Sequence, residues 1–393
     1  MLTVAVALSF VSLPPLVPKP LIYEARVGAF NSSQGASLIG DRNLFAGKVV
    51  TKMLGSSGKT INQIRLVLDP TRDDLGPEGY TLDVQAQNID IRAFNVQGLN
   101  YGVTTLRQLW NKTSIPCLHI EDKPRFEWRG MHLDVSRHFY PATFIKKYLD
   151  LLAEFKMNVF HWHLVDDGGW RIEIKSYPKL TSLGAWREGE QKGWDYIKLK
   201  FAEPGGKTPT YGGFYTQQEV KEVVAYAKER GITVVPEIEM PGHTLPVLWC
   251  YPEVACQSNS VEAWKLATGM YGPNVYCAGK EASFDFIENV LDEVLELFPS
   301  DFIHIGGDEV DKRLWTDCKD CQTRISDEGL RDVLGLQSYF VKRIEKYLNA
   351  KGRRMVGWDE ILEGGLAPNA TVMSWRGISG GIEAAKSGHD VVM

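Results

Sequence analysis

The sequence predicts an α/β protein: a (β/α)8 TIM barrel, C-terminally truncated with about seven strands present, preceded by a small α+β domain. Three observations carry that prediction. After Pro124, apolar strand-like segments alternate with amphipathic helices, the rhythm of parallel βα units. Six successive strand ends then deliver ionisable or aromatic side chains, and parallel barrels collect their chemistry at the carboxyl ends of strands. Before Pro124 the pattern is mixed and shorter-ranged. The expected division is therefore a candidate leader at residues 1–20, an α+β domain at 21–124 and the barrel at 125–393.

Leu2–Leu13 is uncharged and mostly apolar but too short to span a bilayer. It is similar to the apolar part of a signal peptide, although a basic start and a clear cleavage site are lacking. The expected compartment is secreted, periplasmic or lysosome-like. In the α+β domain, Ile64–Leu68 and Tyr80–Ile91 read as strands, the latter by alternation of Leu82 and Val84 with polar neighbours. Gln97–Trp110 reads as a helix with Leu99, Val103, Leu106 and Leu109 on one stripe, and Pro116–Ile120 as a short strand.

In the barrel, the strands read as Gly130–Val135, Asn158–Val165, Ile232–Ile238, Phe302–Ile305, Arg354–Trp358, Thr371–Trp375 and Asp390–Met393. The first helix, Thr143–Phe155, places Phe144, Ile145, Tyr148, Leu149 and Leu152 on one face. A second opens on Thr216-x-x-Glu219, a capping box, and stops at Gly231. Ser283–Phe298 ends before Pro299, and Gln337–Ala350 before Gly352. Closure needs eight strands, so either a final unit is missing, which is the expectation, or the barrel reading is wrong.

At 393 residues, with 44% hydrophobic and 24% charged content, the chain is long enough for two domains and a large core. Its net charge of −5 gives no field favouring nucleic acid or an anionic membrane. Six cysteines suit either redox compartment. Cys318-x-x-Cys321 has the spacing of half a zinc site, with no matching second pair nearby in sequence. Cys250, Cys256 and Cys277 are close enough for a disulfide, with Cys256–Cys277 the first pairing to expect, and reduced thiols without a role the alternative. Sequons at Asn31, Asn111 and Asn369 matter only in a glycosylating pathway.

The strongest local signal is His304-Ile305-Gly306-Gly307-Asp308-Glu309, which follows apolar Phe302-Ile303. Neighbours on a strand point to opposite faces, so Asp308 and Glu309 reach one pocket only if the backbone leaves the pleat there. Gly306 and Gly307 make such a bend inexpensive. Two acids sharing a site push their proton affinities apart, leaving one ionised beside one protonated, which suits general acid catalysis. The plainer reading is a solvated loop or a helix start.

The other strand ends carry Asp134-Val135-Ser136-Arg137-His138, His161-Trp162-His163 with Asp166-Asp167, Pro236-Glu237-Ile238-Glu239-Met240-Pro241-Gly242-His243, Gly357-Trp358-Asp359-Glu360 and Ser374-Trp375-Arg376. Together with His304-x-Gly306-Gly307-Asp308-Glu309, these segments resemble glycoside hydrolase family 20, the β-N-acetylhexosaminidases, over most of the chain. The resemblance implies an exo-acting, retaining enzyme that removes terminal β-linked N-acetylglucosamine or N-acetylgalactosamine. In that family the substrate's own acetamide oxygen attacks the anomeric carbon and forms an oxazolinium ion. A tethered group of this kind is worth an effective molarity of about 10⁵–10⁸ M.

The resemblance further implies catalytic roles for four residues. Glu309 is the general acid and later base, Asp308 holds the acetamide N–H, and Asp166 with His243 forms a relay behind Glu309. Arg137, Trp358, Trp375 and His163 are the implied substrate-binding residues, with neither metal nor cofactor. Each has a structural rival: an ion pair for Arg137, a turn histidine for His243, packing for His161 and His163, and core for Trp358. Trp170 and Trp186 read as structural. The implied partners are oligosaccharides or glycoconjugates ending in N-acetylhexosamine, with no nucleic acid and no membrane span. The family's last two strands supply a tyrosine, an acid and a further tryptophan that this sequence does not reach, so the 393-residue chain is expected to be weakly active or inactive.

Two other functions remain open on the sequence. One is a metal-dependent barrel hydrolase using His161-x-His163 with Asp166, His243 and Asp308. The other is a sugar-binding protein on a decayed hydrolase scaffold, against which the intact Asp308-Glu309 pair argues. Sugar preference, linkage and oligomeric state have no signature here.

Overall fold

The computed structural model describes residues 15–55, 60–111, 113–189, 201–202, 211–256 and 274–393. Leu2–Leu13, the candidate leader core, lies outside them. Contacts divide the chain into two compact units. One runs to Arg129 and takes in Asp150–Asn158 and Glu229–Gly231; the other is Gly130–Leu149, Val159–Lys228 and Ile232–Met393. The edge falls a few residues past Pro124 because Arg129 is bonded inside the first unit. Its Nη2 donates to Glu78 Oε1 at 2.7 Å and its Nε to the Lys156 carbonyl at 3.0 Å.

The first unit is built on β1 (Ile22–Phe30), β2 (Ser37–Ile39), α1 (Phe45–Leu54), β3 (Gln63–Leu68), β4 (Tyr80–Val84), β5 (Asn88–Ala93), α2 (Val96–Leu109) and β6 (Ile115–Asp122). Its six strands form one mixed sheet in the order β1-β6-β4-β5-β3-β2. The single strand expected at Tyr80–Ile91 is instead a hairpin, with Tyr80 opposite Ala93 and Val84 opposite Ile89. The turn, Gln85-Ala86-Gln87, contains neither glycine nor proline, so the alternation ran through it without a punctuation mark. β1, β2 and α1 have no counterpart in the sequence reading; β1 is mostly exposed and shows no two-residue burial rhythm. Leu99, Val103 and Leu106 of α2 pack on Leu82, Ile89 and Ile91 of the sheet, all 0–1% exposed. Gly102 lets the helix sit close: a Cβ there would lie 2.5 Å from Ile91 Cγ2. Below the sheet, Lys156 Nζ donates to Asp122 Oδ2 and to Tyr80 Oη, both at 2.9 Å.

From Gly130 onward come β7 (Gly130–Asp134), α3 (Ala142–Glu154), β8 (Val159–His163), α4 (Gln217–Glu229), β9 (Thr233–Glu237), α5 (Glu281–Leu297), β10 (Phe302–His304), α6 (Lys319–Asp327), α7 (Val333–Ala350), β11 (Arg354–Trp358), β12 (Thr371–Met373), α8 (Ile378–Lys386) and β13 (Val391–Val392), all in the second unit except the ends of α3 and α4. The seven strands form a single sheet in chain order, each parallel to the next, as the βα rhythm predicts for a barrel. Among the described residues β7 pairs only with β8 and β13 only with β12. The capping box at α4 is formed: Glu219 N donates to Thr216 Oγ1 at 3.2 Å, and Thr216 N to Glu219 Oε2 at 2.9 Å. Most strands stop short of their expected ends. β8 ends at His163, β10 at His304 and β12 at Met373, because the residues that follow leave the pleat to build the site. Among the described residues, no helix is long and apolar enough to cross a membrane.

Candidate active site

The bend that the Asp308-Glu309 pair requires is present. After His304 the chain passes through Gly306 at φ +70°, Gly307 at φ +96° and Glu309 at φ +46°. The glycines adopt this region freely, whereas for Glu309 it is strained, costing about 1–3 kcal/mol. The result is that both carboxylates turn toward one imidazole. His243 Nε2 lies 3.4 Å from Asp308 Oδ2 and 3.6 Å from Glu309 Oε2. His243 is itself at φ +50°, on the loop that follows β9. The two acids differ in setting: the Asp308 side chain is 15% exposed, the Glu309 side chain 49%. Asp308 Oδ1 is buried and has no hydrogen-bond partner among the described residues.

Behind His243 stands a second layer of charge. Its Nδ1 lies 3.4 Å from Asp166 Oδ1 and 3.3 Å from Asp167 Oδ2. Burial opposes a proton on this imidazole, but Asp166, then hydrogen bonds to Asp166, Asp167 and Asp308, raise its proton affinity well above the ordinary histidine value. Burial likewise opposes ionisation of Asp166, but Arg137 and His243 hold its carboxyl far below the usual range. Arg137 Nη2 lies 2.6 Å from Asp166 Oδ2, and its Nη1 donates to Asp134 Oδ2 at 2.9 Å. The guanidinium is thus fixed at both ends, and the side chain as a whole is 28% exposed. Asp167 in turn accepts from Leu245 N at 3.1 Å and Asn274 Nδ2 at 2.8 Å, which seats the His243 loop.

Parallel register explains the layer beneath. Asp134 pairs with His163, His163 with Glu237 and Glu237 with His304, so one row across β7, β8, β9 and β10 puts four polar side chains on one face. Glu237 is 0% exposed and forms the hub. His163 Nδ1 donates to its Oε2, His161 Nε2 lies 2.8 Å from the same oxygen, and His304 Nδ1 lies 3.1 Å from Oε1. Trp358 Nε1 donates to Oε1 at 2.8 Å. Burial raises the Glu237 carboxyl, yet His163, His304 and His161 hold it well below the ordinary carboxylate value. Burial also works against a charge on His163, but Glu237 and a bond to Asp166 push it up to about 10. Burial takes His161 down to about 3. Glu239, also 0% exposed, has its proton affinity raised well above the ordinary value by burial and by Asp308 and Glu237. A Cβ at Gly306 would lie 1.6 Å from Glu239 Oε2, so a side chain there would displace the buried Glu239 carboxyl as well as strain the backbone.

The structure therefore brings together Asp166, His243, Asp308, Glu309 and Arg137. Three further expected residues lie beside this group. His163 is 2% exposed, with Nδ1 on Glu237 and Nε2 on Asp166 at 2.9 Å, so it has no nitrogen left to offer a sugar. It is a buried positioning group rather than the expected substrate ligand. Trp358 is tied to the Glu237 hub and packs edge-on against His304 at 4.7 Å between centroids. Trp375, at the end of β12, is 50% exposed and donates Nε1 to Glu360 Oε2 at 3.0 Å. Burial pushes Glu360 up to about 7.

Of the histidines read as possible metal ligands, His161 and His163 lie against Glu237, and His243 lies between Asp166, Asp167 and Asp308. His161, His163 and His304 converge on the Glu237 carboxylate, and Asp166 already carries Arg137 and His243 as cations. Another cation at Asp166 would meet two positive charges. Sequence reasoning gave no role to Glu237, Glu239, His304, Asp134 or Asn274. The first four sat in the quoted strand ends but show their function only through register, and Asn274 had no local signal.

Known proteins are similar to this chain over most of its length. The family profile described as glycosyl hydrolase family 20, catalytic domain, matches residues 126–393, and that for domain 2 of the same family matches 13–123. A β-hexosaminidase of Porphyromonas gingivalis is 47% identical over 330 residues, covering 81% of this chain and 40% of that one. A β-hexosaminidase of Vibrio furnissii is 40% identical over 335 residues, covering 84% and 53%. The chain thus spans about half the length of these relatives. Among solved structures, a Vibrio harveyi exo-β-N-acetylglucosaminidase in complex with N-acetylglucosamine superposes with a TM-score of 0.82 at 34% identity, covering 96% of this chain and 60% of that one. A Bacteroides fragilis β-N-acetylhexosaminidase gives 0.78 at 35% identity, covering 96% and 74%.

Proposed function

The chain belongs to glycoside hydrolase family 20, and from that premise we propose that the protein removes terminal β-linked N-acetylhexosamine with retention, using the substrate's own acetamide as nucleophile. The observation that carries the proposal is the buried Oδ1 of Asp308, unpartnered among the described residues, beside the half-exposed side chain of Glu309. A fixed acceptor with no protein donor is suited to a substrate N–H.

In the first step the acetamide oxygen bonds to the anomeric carbon as the bond to the leaving oxygen breaks, and Glu309 gives that oxygen its proton. Positive charge develops on the oxazolinium ring, whose N–H is held by Asp308. In the second step Glu309 takes a proton from water, the water oxygen bonds to the anomeric carbon, and the acetamide oxygen is released. His243, charged and anchored by Asp166, lies within 3.6 Å of both acids and sets the field in which the proton moves. Arg137, clamped by Asp134 and Asp166, presents its guanidinium edge to sugar hydroxyls. Trp358 and Trp375 offer flat apolar faces to the ring and the acetamide methyl. His163 acts through Glu237 and Asp166 and does not touch the sugar.

The test is a panel of aryl N-acetylglucosaminide, aryl N-acetylgalactosaminide and the plain aryl glucoside. Hydrolysis of either or both N-acetyl substrates with none of the glucoside supports the reading. Equal cleavage of the glucoside overturns it, because that sugar has no acetamide to attack.

A further inference from the structure

Away from the carboxylates, four cysteines far apart in sequence converge in the second unit. Cys256 and Cys277 lie on the chain between β9 and α5; Cys318 and Cys321 lie at the start of α6. All four are 0–1% exposed, and none forms the Cys256–Cys277 disulfide that the sequence spacing suggested. The sulfurs stand 3.9 Å apart for Cys256–Cys321, 3.7 Å for Cys277–Cys318 and 3.6 Å for Cys277–Cys321, and all four lie within 4.8 Å of one another. A tetrahedral tetrathiolate zinc centre, with Zn–S near 2.3 Å, has S···S edges of about 3.8 Å. A disulfide needs about 2.05 Å. The matching second pair that the Cys318-x-x-Cys321 motif lacked in sequence is supplied by the fold.

The surrounding backbone is shaped for thiolates. Cys318 is the N-cap residue of α6, where the helix dipole favours a negative sulfur. A Cβ on Gly279 would lie 2.1 Å from the Asp320 carbonyl carbon, so only glycine allows the two cysteine turns to meet. Two cations flank the cluster: Lys280 Nζ donates to the Ala255 carbonyl at 2.6 Å, and Arg324 Nη2 to that of Gly279 at 3.3 Å.

We propose that Cys256, Cys277, Cys318 and Cys321 form a structural zinc site that staples the loop following Glu309 to the loop following His243. The connections to the candidate active site are short. Trp315 Nε1 donates to the Tyr276 carbonyl at 2.9 Å, Tyr276 N to the Pro241 carbonyl at 2.9 Å, and Asn274 holds Asp167. The closed four-sulfur set leaves no open position for substrate, so the site holds structure and performs no chemistry. This inference is independent of the reaction proposed above.

The test is native mass spectrometry of the intact protein purified without chelator, together with thiol counting after denaturation. We expect about one zinc per chain, six titratable thiols once the metal is removed, and a cobalt-substituted form with the visible absorption of tetrahedral thiolate coordination. Cys318→Ser combined with Cys321→Ser should abolish metal retention, whereas Cys250→Ser, outside the cluster, should keep it. A native mass equal to the bare chain overturns the proposal, whether the cysteines are then reduced or joined in two disulfides. The wild-type measurement decides the matter even if the double variant does not fold.

Discussion

His243 Nε2 stands 3.6 Å from Glu309 Oε2, and both residues hold that geometry at positive φ, +50° and +46°. Two strained backbones on different loops thus aim a histidine and a carboxylate at each other. Such strain persists only where surrounding packing over-determines it, and here it is matched by the Asp166 and Asp167 contacts on the far side of the imidazole.

The two acids should be separable by substitution. Asp308→Asn should lower kcat on aryl N-acetylglucosaminides by about 10²–10³-fold, since a fixed electrostatic partner of the developing charge is lost. Glu309→Gln should cost about 10²–10⁴-fold, concentrated on substrates with poor leaving groups. Comparing activated and unactivated aglycones checks both. A uniform loss across leaving groups for Glu309→Gln would remove its role as proton donor.

Asp166→Asn tests the relay through its pH dependence. Asp166 is the leading attraction holding the His243 proton against burial, so its loss lowers the histidine's proton affinity. The alkaline limb of the kcat/KM profile should move to lower pH in the variant. A reduced rate with an unmoved limb would mean that Asp166 supports the loop without tuning His243.

Gly306→Ala should destabilise by about 3 kcal/mol or more and abolish activity, because φ is +70° and the new methyl would lie 1.6 Å from Glu239 Oε2. A thermal melt of the variant checks it. Gly306→Ala combined with Glu239→Ala removes the clash and should recover part of the loss, leaving the backbone strain.

In the first unit, Lys156→Met should cost about 3–5 kcal/mol, since it strands a largely buried Asp122 whose side chain is 11% exposed. Lys156→Met with Asp122→Leu should lie much closer to wild type. Chemical denaturation of the three proteins gives the comparison, and equal losses for single and double variants would contradict it.

How much of this was legible in the chain follows the range of the signals. Asp308, Glu309, His243 and Arg137 sit in short motifs at strand ends, so their neighbourhood followed once the βα rhythm was seen. The Glu237 hub was not legible, because its partners His163 and His304 are fixed by register with two different strands. The cysteine cluster failed for a related reason: Cys256 and Cys321 are 65 positions apart, and spacing rules reach only local pairs. The hairpin at Gln85 was missed because its turn lacks the residues that announce one.

The central claim is that the acetamide oxygen makes the bond that displaces the leaving group. Its most direct test is kcat/KM for aryl glycosides bearing acetyl, fluoroacetyl, difluoroacetyl and trifluoroacetyl groups on the 2-amino nitrogen. Each fluorine draws electron density from that oxygen, so the rate should fall stepwise, by about 10²-fold or more across the series. A flat series, with the trifluoroacetyl substrate cleaved as fast as the acetyl one, would contradict the account.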